Sequence, residues 1–127
     1  MEKKVVLIGH CGPDSSYLRM AVGNVDKSIR VSSADDPVTL QRALDGGADL
    51  LLLNRELPYE FDDQLGVDVI RKFASKYPGI KMMLVSNHPD AQQSAERAGA
   101  VPGFGKKEIG TARVPRVIRS ALGLGDK

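Results

Sequence analysis

The feature that most constrains this chain is an alternation, repeated five times, of a short apolar run with a helix-like segment. The runs fall at residues 5–8, 29–31, 50–53, 82–85 and, more weakly, 100–104. Those at 5–8, 50–53 and 82–85 are continuous rather than alternating, which suits strands buried on both faces of a parallel sheet. A strict β-α alternation then requires right-handed crossovers that cover both faces of the sheet with helices. In such open sheets the functional crevice lies outside the carboxyl ends of the strands.

The intervening segments carry start and stop signals. The first, about residues 15–22, has Asp14 as expected cap and Gly23 as stop, with Leu18, Ala21 and Val22 inward. The second, residues 37–44, follows Asp36 as N-cap, opens on Pro37 and ends at Gly46 and Gly47. The third, about residues 66–77, spaces Val67, Ile70, Phe73, Ala74 and Tyr77 by threes and fours before Pro78 and Gly79 break it. A fourth covers residues 90–98 before Gly99. A fifth runs from about 112 to 122 with Thr111 as expected cap, Pro115 near its first turn, and Val114, Val117, Ile118 and Ala121 inward.

Length and composition fit one folded domain over residues 1–127. The chain is 42% hydrophobic and 27% charged, which is ordinary for a globular protein and far from the signature of disorder. The N-terminal apolar run of four residues is too short for a signal-peptide core or a membrane span, so a cytoplasmic location without membrane attachment is expected. The single cysteine, Cys11, excludes an internal disulfide and a multi-cysteine zinc site. Residues 103–127 hold six Lys/Arg against two Asp/Glu. That density is below what nucleic-acid binders show, so nucleic acid is not an expected partner.

The residues just beyond the strands are Gly9, His10 and Cys11; Asn54, Arg55 and Glu56; Ser86, Asn87 and His88; and Lys106 and Lys107. Four leucines, Leu50 to Leu53, lead into Asn54-Arg55-Glu56-Leu57-Pro58, with Gly66-Val67-Asp68-Val69-Ile70-Arg71 following. This stretch resembles the receiver (CheY-like) domain of response regulators in two-component signalling, where a phospho-accepting aspartate is followed by Leu-Pro and a Gly-led helix. The resemblance extends from Lys4 to Leu122. It implies a flavodoxin-like, three-layer α/β fold with a five-stranded parallel sheet of order 2-1-3-4-5.

Residue by residue, the resemblance places Asn54 at the phospho-acceptor position and Gly9 and His10 at the acidic pair that binds Mg²⁺. Ser86 matches the hydroxyl residue that ends strand four, Lys107 the invariant lysine, and Phe104 the aromatic switch position. Glu108 stands where the family has proline. Receiver phosphorylation needs a carboxylate nucleophile and a hard cation held by oxygen ligands. With Asn54, Gly9 and His10 in place, three carboxylates are missing at once. The expectation is a degenerate pseudo-receiver: not an enzyme, with no cofactor and no metal, working as a phosphorylation-independent protein-interaction module in signal transduction. Lys107 is expected to bond the Asn54 side-chain oxygen or to reach the Glu56 region.

Other readings stand beside this one. The acidic segment 59–65 is longer than the family's, and either is a solvated loop or brings Asp62 or Asp63 over the pocket to restore a phosphoryl or cation site, which would leave a phosphorylatable receiver in a phosphorelay. His10, His88, Cys11 and Asp14 converging at one edge would suit a transition metal. A small-molecule or nucleotide-binding flavodoxin-like domain lacks its Gly-rich phosphate loop. Arg113, Arg116 and Arg119 form a drifting stripe on the last helix, either a plain solvated face or part of a docking face. By resemblance, the face of helix four, strand five and helix five receives protein partners or mediates homodimers, and here the partner would be acidic.

Overall fold

The structure is a computed structural model and describes residues 2–58, 60–61 and 63–124. The order is β1 (Lys3–Ile8), α1 (Gly12–Gly23), β2 (Ile29–Ala34), α2 (Pro37–Asp45), β3 (Leu50–Asn54), α3 (Gly66–Phe73), β4 (Lys81–Val85), α4 (Pro89–Ala98), a 3₁₀ turn (Lys106–Glu108) and α5 (Arg113–Leu122). The strands pair in parallel in the order β2-β1-β3-β4. Residues 101–105 take the fifth place beside β4, so the order is 2-1-3-4-5, as the receiver resemblance implied.

That fifth place is held by little ladder bonding. Val85 and Phe104 form one parallel bridge, and backbone bonds run from Val101 N to Met82 O and from Ser86 N to Phe104 O, each 2.9 Å. A side chain supplies the rest. The Gln92 amide of α4 donates to Leu84 O, Ser86 O and Phe104 O at 2.9, 3.1 and 3.3 Å, tying both strand ends to the helix. Gly103 makes this close approach feasible, because a Cβ there would collide with the Leu84 carbonyl and lie 2.8 Å from the Gln92 side-chain oxygen.

The sheet divides the core in two. Val6, Ile8, Leu51, Leu53, Met82 and Leu84 face α2, α3 and α4. Val5, Leu7, Leu50, Leu52, Met83, Val85 and Phe104 face α1 and α5. Successive strand residues point to opposite faces, so an uninterrupted apolar run feeds both layers. No helix of the described residues is long and apolar enough to cross a membrane.

The helix boundaries confirm α2 and amend three others. Asp36 caps α2, accepting from Thr39 N at 2.8 Å in a capping box. Helix α1 begins at Gly12, three residues earlier than expected, with Cys11 as N-cap and no side-chain cap bond. Pro13 presets the first turn, and Asp14 lies inside the helix, where an ion pair engages it. Thr111 is not the cap of α5: its hydroxyl donates to Glu108 O at 2.6 Å, and Ala112 takes the cap position. Helix α3 ends at Phe73. Residues 74–76 continue as turns through bonds such as Lys76 N to Phe73 O, 3.0 Å, because Pro78 and Gly79 follow and a Pro disfavours α geometry before it.

Gly103→Ala is expected to lower unfolding stability by about 2 kcal/mol through overpacking against backbone. Gly79→Ala, where a Cβ would meet nothing within 4 Å, stays within ~0.5 kcal/mol of wild type. Urea denaturation of both variants checks the pair.

Candidate functional site at the carboxyl ends of the strands

The carboxyl ends of β1 and β3 meet at a corner built around a glycine. Gly9 has φ +72°, in the left-handed region, and a Cβ there would lie 2.6 Å from a Leu57 methyl and 3.1 Å from the Pro58 ring. Position 9 therefore rejects a side chain for two reasons, backbone conformation and packing. A carboxylate there would strain the backbone and push aside the Leu57 and Pro58 side chains.

Asn54 closes the corner. Its amide donates to Gly9 O at 3.2 Å and to Glu56 O at 3.0 Å, and its side-chain oxygen accepts from Arg55 N at 3.1 Å. Both amide hydrogens and the carbonyl are used on backbone groups, so the side chain straps β1 to the turn after β3. A carboxylate in this place would put an acceptor against the Gly9 and Glu56 carbonyls. The neutral amide is thus the group that this arrangement of acceptors fits.

His10 turns inward. Its ring is buried, and Nε2 lies 2.9 Å from Leu52 O. A carbonyl only accepts, so Nε2 carries the proton and Nδ1, buried without a partner, is the bare nitrogen of the neutral ring. Burial lowers its pKa; the Leu52 carbonyl opposes that shift, Lys106 adds to it, and Asp14 and Asp35 oppose it.

The cation in the crevice is Lys106. Its ammonium lies 2.6 Å from Asp14 on α1, a bond that holds the Asp14 carboxyl below the usual carboxylate range, with the Cys11 side chain adding to the effect. Lys107 is exposed. Among the described residues its side chain makes no hydrogen bond or ion pair, and its backbone N donates to Asn87 Oδ1 at 3.0 Å. The expected bond from Lys107 to Asn54 or to the Glu56 region is not formed: the Asn54 oxygen serves Arg55 N, and the Glu56 carboxylate pairs with Arg55 at 3.3 Å. The reason is the 3₁₀ turn at 106–108, which turns Lys107 away and points its predecessor at α1. Glu108 holds that turn, accepting from Gly105 N at 2.9 Å and from Arg113 at 2.9 Å.

Ser86 sits buried at the end of β4, its hydroxyl accepting from His88 N at 3.1 Å. Phe104 is 1% exposed and packs in the layer under α1 and α5. The structure thus brings Gly9, His10 and Asn54 into one corner and sets Ser86 beside Phe104. Lys107 stays outside, and Lys106 with Asp14 takes the role of local ion pair.

The structure narrows three of the alternative readings. Asp63 pairs with Lys72 at 3.8 Å, on the side of α3, so it does not cover the pocket; Asp62 lies outside the described residues. The loop is anchored by Phe61, buried in the core with Leu57, and by an antiparallel bridge between Glu56 and Leu65. Among the described residues no three His, Cys, Asp or Glu side chains gather into a metal site, because His10 points into the protein while His88 and Cys11 are exposed. The arginine stripe is also narrower than its spacing suggests. Arg113 is held by Glu108, and Arg119 is largely covered, donating to Val25 O at 2.9 Å and lying 3.6 Å from Asp26. Arg116 is exposed, with no hydrogen bond or ion pair among the described residues.

The whole arrangement is the fold of response-regulator receiver domains. The signal receiver domain of a DNA-binding response regulator from Colwellia psychrerythraea superposes with a TM-score of 0.77 at 15% identity, covering 96% of this chain and 99% of that one. A response regulator from Thermotoga maritima gives 0.71 at 19% identity, with 97% and 99% covered. The non-phosphorylated receiver domain of the stress response regulator RcsB from Escherichia coli gives 0.77 at 17% identity, with 100% and 97% covered. No protein-family model matches the chain, and no curated protein matches it by sequence.

The Asp14–Lys106 pair makes a signed pH prediction. Because the folded carboxyl titrates below its ordinary 3.8, its contribution to stability is present above that value and is lost as pH falls through the depressed folded value. Asp14→Asn should be less stable than wild type at pH 7, and the gap should close as the solution is acidified below the carboxylate range. Urea midpoints of the two proteins at neutral and acid pH test this.

Proposed function

We propose that this chain is an atypical receiver domain that takes part in signalling by binding a protein partner, without accepting a phosphoryl group and without catalysis of its own. The observation that carries the reading is the Asn54 strap. Every polar group of the residue at the acceptor position is bonded to backbone within its own corner. Nothing is left to attack a phosphodonor, and an amide is a poor nucleophile in any case. The neighbouring positions supply no carboxylate to hold Mg²⁺ either: position 9 rejects a side chain, and His10 offers a buried ring whose proton is committed to Leu52.

The docking face in this reading is formed by α4, residues 101–105 and α5. Among the described residues its exposed cations without a side-chain partner include Arg116 on α5 and Arg97 on α4, whereas Arg113 and Arg119 are engaged by groups of the same chain. An acidic partner protein suits that charge, and a second copy of the chain is the other occupant the face would take.

Incubation with Mg²⁺ and acetyl phosphate is expected to leave the intact mass unchanged for wild type and for Asn54→Asp, because restoring one carboxylate leaves the cation without its other two ligands. A phosphoryl adduct on wild type would overturn the reading in favour of a working phosphorelay receiver. For the docking face, Arg116→Glu should lose the partners that wild type retains in a pull-down; retention of all of them discards it.

A further inference from the structure

A second charged feature lies away from this crevice, on the flank of the sheet covered by α2. Strands β1 and β2 pair so that Lys4 stands beside Arg30 and Val6 beside Ser32. Val6 belongs to the layer under α2, and side chains two residues apart share a face. Lys4 and Arg30 therefore leave the sheet on that face, at the ~4.8 Å spacing of neighbouring strands. Like charges placed directly beside each other on a sheet oppose its pairing, so the arrangement calls for an anion. From above, α2 adds a third cation, Arg42. The three line a groove of about 410 Å³ with Val6, Ala43 and Ala48 among its apolar walls and no carboxylate in its lining.

The chain's own anions answer this charge in part. Glu2 pairs with Arg30 at 2.9 Å from outside the groove. Asp49 accepts from the backbone N of Lys4 at 2.7 Å. The carboxyl end of α2, where carbonyls lack partners and attract cations, accounts for the Lys4 ammonium, which lies 3.3 Å from Gly46 O. It does not satisfy the Arg42 side chain, which is exposed and makes no hydrogen bond or ion pair among the described residues. Asp36 is near enough to Arg42 for its own charge to be stabilised, but its carboxylate is spent on capping Thr39. Arg42 thus points a planar fork of donors at a basic groove with no partner of its own.

We propose that the groove between α2 and the β1–β2 edge is a binding site for a small molecule with a phosphate or carboxylate head and a short apolar body. The head sits between Arg42, Lys4 and Arg30, and the Ser32 hydroxyl, on the same face, is placed to donate to it. The body lies on Val6, Ala43 and Ala48. The volume matches small-ligand sites, which combine an apolar lining with a few convergent polar groups. The site is independent of the Asn54 corner, so it stands whichever way the phosphorylation test falls.

Amide NMR titration with phenyl phosphate, inorganic phosphate and benzoate tests the site. Phenyl phosphate should shift residues 30–33 and 39–46 saturably, and inorganic phosphate should bind more weakly because it lacks the apolar body. Saturation by benzoate would extend the head group to carboxylates, and its absence would restrict the site to phosphates. The double variant Lys4→Gln, Arg42→Gln should weaken phenyl phosphate at least tenfold while keeping the wild-type amide pattern elsewhere, and Lys107→Gln, a cation outside the groove, should bind as wild type. Should the double variant lose its dispersed spectrum, Arg42→Gln alone, altering an exposed side chain, carries the comparison. The proposal fails if phenyl phosphate gives no saturable shift, if the shifts map to Asn54 and Lys106, or if the variants bind unchanged.

Discussion

The structure rests on the burial of β3. Leu50, Leu51, Leu52 and Leu53 are each 0% exposed, and alternate members feed opposite layers, Leu51 and Leu53 toward α2, α3 and α4 and Leu50 and Leu52 toward α1 and α5. At about 25 cal/mol per Å² of apolar surface, each fully buried leucine contributes roughly 2 kcal/mol against the unfolded chain. Because Asp49 and Asn54 flank the four leucines, shifting the strand by one residue would draw a polar side chain into a buried leucine place. The register with β1 and β4 is thereby fixed, and the strand's last residue, Asn54, is delivered to one place at the sheet's carboxyl edge.

From that fixed point the corner follows. Asn54 reaches Gly9 because β1 runs in register beside β3, Ile8 against Leu53. The turn after β3 then folds back over Gly9 with Leu57, Pro58 and Phe61. These contacts are apolar and close, so they belong to the core rather than to a solvated pocket. Among its described residues, the long acidic segment contributes to the crevice through Phe61, while Asp63 goes to Lys72. Position 9 as glycine and position 54 as amide are mutually consistent. One leaves room for the packing, and the other bridges the carbonyls that the packing brings together.

Local signals made much of this legible. The apolar runs gave the strands, Asp36-Pro37 with Gly46-Gly47 gave α2, and the run of leucines into Asn54 located the corner. What escaped was set by partners distant in sequence. Asp14 looked like a cap because a carboxylate before a helix serves that purpose; it is Lys106, 92 residues away, that uses it instead. Choosing between Lys106 and Lys107 required knowing the 3₁₀ turn, which rotates successive side chains by about 120°. Gln92 gave no sign of its role, being one of several polar residues on α4. Phe61 was hidden by the acids around it, though a lone phenylalanine in an acidic loop is itself a signal of anchoring. The arginine stripe carried its own warning: at 3.6 residues per turn, positions six apart sit roughly 120° apart around a helix, so Arg113 and Arg119 do not share a face.

The corner also bears on how such a domain would be controlled. A receiver switched by phosphate changes state because a new dianion alters the balance between two packings. Here the groups nearest the acceptor position are already paired: Asn54 with three backbone atoms, Lys106 with Asp14, and His10 with Leu52. Each bond favours the arrangement described, and none awaits a charge to complete it. On the reading proposed above, a shift in population would come from a ligand or protein that prefers another arrangement elsewhere on the surface, and it can be no larger than the difference in that partner's affinity for the two states. The weakest join in the sheet is the fifth strand place, held to β4 by a single bridge, the Val101 N to Met82 O bond and the Gln92 amide. A partner seated against α4 and α5 would act on that join directly, through Gln92 and with no signal from the Asn54 corner.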